Sequence, residues 1–120
     1  MDRTVETTLP MGIESPRMAR GLVESLLVDC GLEQLVPVAS VLVSDVVTEA
    51  VLLHAPVIEL RVHCDETSLR VEVHNEVADR FFTEPSSAYR RRVLETFADD
   101  WANEHRRGTL WFELRARRAG

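Results

Sequence analysis

Residues 57–75 read VIELRVHCDETSLRVEVHN, and the alternation within this stretch decides the fold. Ile58, Leu60 and Val62 fall in one phase, with Glu59, Arg61 and His63 in the other. After Asp65-Glu66-Thr67 the pattern resumes: Leu69, Val71 and Val73 share one face, and Arg70, Glu72 and His74 share the opposite one. A side-chain period of two marks a strand with one buried face. The short polar break between the two runs makes them an antiparallel hairpin. Because the second face is charged, only one side of the sheet needs covering, and helices are expected on that side alone.

Upstream, Ser15-Pro16 supplies a helix start, with Ser as N-cap and Pro at the first helical position. Gly31 supplies the stop. The helix between them is expected to bury Met18, Leu22 and Leu26, with Arg17 and Arg20 projecting. A second helix is expected from between Glu33 and Val38 to about His54, with Pro37 in its first turn. It is apolar nearly all round and reads as the central buried helix. Residues 4–9 suit a short edge strand. Downstream, residues 76–86 read as an irregular connection. Ser87 to Trp101 reads as an amphipathic helix with Val93, Leu94, Phe97 and Trp101 inward. Thr109 to Arg117 reads as a last strand burying Leu110, Phe112 and Leu114. The sum is a single α/β (α+β) domain over residues 1–120, a two-layer sandwich whose mixed, mostly antiparallel sheet is covered on one face. Trp111 falls on the open face, where it either packs at an edge or meets a partner.

The chain has 120 residues, 45% of them hydrophobic, enough for a real core. Its longest apolar region, around Val36 to Leu53, is interrupted by Ser40, Ser44, Asp45, Thr48 and Glu49. No apolar leader follows Asp2, Arg3 and Glu6, so a cytoplasmic protein without a membrane segment is expected. Cys30 and Cys64 lack metal-ligand spacing and are expected as two buried thiols. All 14 basic residues are Arg, which removes any P-loop or Schiff-base lysine. Net charge is -6, with the acids concentrated before residue 80 and the arginines after it. The four histidines, His54, His63, His74 and His105, sit in no metal-binding framework, and no nucleophile signature is present.

Several stretches, in order, resemble one family. Residues from Met18-Ala19-Arg20 to Gly31-Leu32 are similar to the first helix of small bacterial ATP-binding regulators related to anti-sigma-factor serine kinases. Val43 to Val51 is similar to their N-box helix, and Leu69 to Asn75 to the strand leading to their adenine-contacting acid. Thr96 to Trp101 and Gly108 to Leu114 are similar to their last helix and closing strand. The resemblance spans roughly residues 9 to 115 and implies the histidine-kinase-like ATPase (GHKL) fold, a mixed sheet under helices. It also implies ATP and magnesium between the helices and a flexible lid, with a sigma factor or an anti-sigma antagonist as partner.

By that resemblance Asp45 takes the place of the catalytic base, and Glu49 that of the magnesium-holding Asn. Asp is shorter than the usual Glu, which sets a base back from its target. Glu49 has suitable oxygens for magnesium, but a polar seam at the edge of a buried helix is the favoured reading. Asn75 replaces the adenine-contacting acid, leaving a weakened contact or none. The family's glycine-rich lid corresponds to residues 84–92, which hold no glycine. There Arg90, Arg91 and Arg92 are the candidates for phosphate contact.

The function expected from these changes is non-catalytic regulation of transcription or signalling by protein–protein binding, with no cofactor. ATP and magnesium enter only if the altered site still binds. The alternative is a working ATP-binding anti-sigma factor or serine kinase. A third reading is an Arg-dependent nucleic-acid binder, carried by Arg90 to Arg92, Arg106-Arg107 and Arg115 to Arg118. The acidic total and the interleaved Asp99, Asp100 and Glu104 argue against that one. Possible partners are a sigma factor, an anti-sigma antagonist or a second copy of the chain, with no membrane.

Overall fold

The computed structural model describes residues 2–10 and 12–117, with His105 described by its backbone alone. The elements run β1 (Arg3–Leu9), α1 (Ser15–Asp29), α2 (Val36–Leu52), β2 (Ile58–Cys64), β3 (Ser68–His74), α3 (Ala88–Phe97), β4 (Asp100–Glu104) and β5 (Thr109–Arg115). The strands form one sheet in the order β1-β2-β3-β5-β4. Every pairing is antiparallel, so the mixture of strand directions implied by the resemblance is absent among the described strands. The expected two-layer sandwich is the architecture that forms.

The hairpin reads as its alternation requires. Val62 lies opposite Val71, and Leu60 opposite Val73, all buried on the helix side. Asp65 closes the turn: its Oδ1 accepts from the backbone N–H groups of Thr67 and Ser68 at 2.8 and 2.9 Å. These bonds hold the Asp65 carboxyl below its ordinary range, the Thr67 N–H contributing most. On the open face Arg70 bonds Glu72 and Glu113, at 2.9 and 2.8 Å. Its guanidinium also sits 4.1 Å from the centroid of the Trp111 ring. Trp111 is therefore covered by a neighbouring cation within the sheet. His63 and His74 lie in different rows of the face, opposite Thr4 and Thr109 respectively.

Helix α2 is the core helix, burying Ala39, Leu42, Val43, Val46, Val47, Glu49 and Ala50. The helical run Glu33–Leu52 is long and apolar enough to cross a bilayer by length and composition, which the interrupting polar residues were expected to prevent. Here it packs against the sheet and α1. Helix α1 buries Ala19, Val23, Leu26 and Leu27, while Met18, expected inside, is 50% exposed. Ser15 is the first residue of α1 rather than its cap, and its hydroxyl donates to the Pro10 carbonyl.

Two further expectations are corrected. Cys30 and Cys64 are joined by a disulfide, not held as thiols. Packing of α1 on the sheet brings the end of that helix over the end of β2, a proximity that their separation in sequence does not reveal. The last helix also stops early, at Phe97, and Trp101 belongs to strand β4. Phe97 is 54% exposed, and the closing strand ends at Arg115 rather than Arg117. The extra strand arises because β4 pairs along β5, which sets Trp101 opposite Phe112 on the helix side.

Candidate functional site

Asp45 and Glu49 lie one turn apart on α2, as their spacing requires. Glu49 is only 2% exposed, and Arg90 of α3 reaches it from the far side. Arg90 donates to Glu49 Oε1 from Nε at 2.9 Å and from Nη2 at 2.7 Å. The other oxygen, Oε2, accepts the backbone N–H of Phe82 at 2.8 Å. One buried carboxylate thus ties together α2, α3 and the connecting segment. Burial demands such pairing, because an ionised carboxylate without donors is costly in the interior.

The Phe82 bond has a local consequence. Phe82 has φ +64, a left-handed conformation strained for a bulky side chain. Its N–H points at Glu49 in that conformation, so the ion pair also fixes the turn. Asp45 is half-buried beside the same arginine. Burial pushes its carboxyl above the ordinary value, and the charge of Arg90 opposes the shift.

Asn75 is 4% exposed and is taken up by its own turn, with Oδ1 accepting the Val77 N–H at 3.0 Å. That bond fixes the amide orientation, and Nδ2 is left buried without a partner. The Asn75 backbone N–H donates to Gly108 at 2.8 Å. Gly108 has φ +63, and a Cβ there would lie 2.8 Å from the Asn75 carbonyl oxygen. Only glycine fits.

Of the residues that the sequence singled out, Asp45, Glu49 and Arg90 therefore come together. Asn75 makes no hydrogen bond to them. Arg91 pairs with Glu95 at 2.7 Å and lies over Trp101, while Arg92 is simply exposed. The C-terminal arginines are divided among acids: Arg107 pairs with Glu104, Arg115 with Glu113 and Arg117 with Asp99. Arg118 lies outside the described residues. A magnesium ion at Glu49 would have to compete with Arg90 and the Phe82 N–H for a buried carboxylate, so these residues do not fit the ion.

Sequence reasoning missed the neighbouring cavity. Phe81, Phe82, Arg91, Trp101, Ala102 and Asn103 line a pocket of about 230 Å³ between the connecting segment, α3 and β4. Phe82 stands edge-on both to Phe81, centroids 5.8 Å apart, and to Trp101, at 6.5 Å. Asn103 donates from Nδ2 to the Ala78 carbonyl at 2.9 Å, and its Oδ1 is buried with no donor. Nothing local marked this wall, because Asp100 to Glu104 carries no period-two alternation of polar and apolar residues.

No protein-family model matches the chain, and no curated protein matches it.

Proposed function

We propose that this protein is a non-catalytic regulator that acts by binding another protein, built on a scaffold of the histidine-kinase-like ATPase type whose nucleotide site has become a structural clamp. One observation carries the reading: the carboxylate standing where magnesium would be held is bound by Arg90 and by the Phe82 N–H. The guanidinium supplies the positive charge that a metal would otherwise provide. The segment that takes the place of a phosphate-wrapping lid, residues 84–92, buries Ser87 and Arg90 and lacks glycine. Asp45, in the base position, is half-buried and one methylene shorter than the usual Glu, which sets its carboxylate back from a target.

Calorimetric titration of the protein with magnesium-ATP tests this reading. No heat of binding is expected at millimolar nucleotide. Micromolar affinity would replace the proposal with that of a nucleotide-gated regulator.

A further inference from the structure

We infer that Asp2, His63 and Asp65 form a binding site for a divalent ion of the zinc class at the turn end of the hairpin. Each offers one ligand atom, and the three atoms lie within 4.8 Å of one another. Zinc takes carboxylate oxygen and imidazole nitrogen at about 2.0–2.2 Å, so small rotamer adjustments close all three on one ion. Asp2 is exposed while His63 and Asp65 are half-buried, which gives the ion an entry path from solvent.

The sheet itself creates the demand for a cation. Strand β1 pairs with β2 so that Arg3 lies opposite Cys64 and Thr4 opposite His63. One step further along, Asp2 and Asp65 fall across from one another. Like charges directly opposed across two strands are destabilising. The arginines neighbouring them in the sheet are committed elsewhere: Arg3 to Asp29, Arg61 to Glu6, and Arg70 to Glu72 and Glu113. Among the described residues no arginine forms an ion pair with either carboxylate.

Two of the ligands are held from behind. Asp65 Oδ1 accepts from the backbone N–H groups and the hydroxyls of Thr67 and Ser68, which leaves the lone pairs of Oδ2 to an ion. His63 Nδ1 meets the Thr4 hydroxyl at 2.6 Å, which leaves Nε2 to ligate. With metal on Nε2, the ring proton sits on Nδ1 and is donated to Thr4 Oγ1, the outer-shell arrangement that orients ligating imidazoles. The imidazole also selects the ion. Magnesium and calcium are hard and favour oxygen alone, whereas zinc accepts nitrogen beside carboxylate. Two carboxylates and a neutral imidazole balance a dication, and water completes its coordination. The bound ion pins the start of the edge strand β1 to the β2–β3 turn. No spacing in the sequence marks the site, because only strand pairing brings Asp2 to the hairpin.

Calorimetric titration of the tag-free full chain with zinc chloride tests the site. One zinc per chain at micromolar affinity is expected, weakened at least about tenfold in Asp2→Asn and in His63→Gln. His54→Gln, at an exposed histidine outside the site, is expected to bind zinc as the parent does. Magnesium chloride is expected to bind at least about tenfold more weakly than zinc. No heat at millimolar zinc would overturn the assignment. So would affinity undiminished in either ligand variant, an equal loss in His54→Gln, or magnesium bound as tightly as zinc. Neither nucleotide nor protein partner enters this titration, so its failure leaves the regulatory reading standing, and the failure of that reading leaves the metal site standing.

Discussion

Arg90 and Glu49, from different helices, form a buried ion pair in which two guanidinium nitrogens converge on one carboxylate oxygen at 2.9 and 2.7 Å. Their side chains are 9% and 3% exposed, so neither charge is hydrated enough to stand alone. Arg90→Met leaves Glu49 buried without its cation and is expected to cost about 3–5 kcal/mol. The double variant Glu49→Leu/Arg90→Met is expected to be more stable than Arg90→Met. Urea denaturation of the single and double variants measures both, and the coupling between the sites follows from the cycle.

Asp45 sits one turn away with its ionisation opposed by burial. Its folded pKa is raised above the unfolded value, so as pH rises the unfolded chain loses its proton first. Stability contributed by this group therefore falls with increasing pH, starting near the ordinary value of 3.8 and ending above the raised folded value. Asp45→Asn removes the penalty. It is expected to be more stable than the parent at pH 7, with the advantage vanishing below pH ~3.8. Melting curves across that range check the sign, and an unchanged difference would show that Asp45 is not the cause.

Gly31 and Gly108 separate two reasons for needing glycine. Both have positive φ, but a Cβ at Gly31 meets nothing within 4 Å, whereas at Gly108 it meets the Asn75 carbonyl oxygen at 2.8 Å. Gly31→Ala is expected to cost ~1–2 kcal/mol from backbone conformation alone. Gly108→Ala carries the same term plus the clash with backbone, so a loss roughly twice as large is expected. Paired denaturation curves make the comparison.

The disulfide joins Cys30 to Cys64 across a separation of 34 residues, closing a loop that includes all of α2. On a chain-entropy account, opening such a loop costs about 3–4 kcal/mol. Treatment with a reductant, or the pair Cys30→Ala/Cys64→Ala, is expected to lower the melting temperature accordingly. An unaltered transition would mean that the bridge adds nothing to stability.

The hairpin was legible in the sequence because its faces are chemically opposite, and period-two alternation survives any uncertainty about neighbours. Helices α1 and α2 were legible from Pro16 and Gly31 and from the length of the apolar run. Strand β4 was not, because Thr96 to Trp101 continues a helical spacing of apolar residues, and only pairing with β5 ends it. The spacing of Asp45 and Glu49 put them on one face, yet nothing local told that Arg90, 41 residues on from Glu49, would be the buried partner. Such a pair is set by how α3 docks, which depends on the whole connection. The disulfide was hidden for the same reason.

The two tryptophans stand on opposite sides of the sheet, Trp101 toward the helices and Trp111 beneath the Arg70 guanidinium. Each indole is consequently an intrinsic fluorescent reporter for its own face. Replacing either by phenylalanine isolates the emission of the other, so a partner added to the protein announces which surface it has covered before any label is attached.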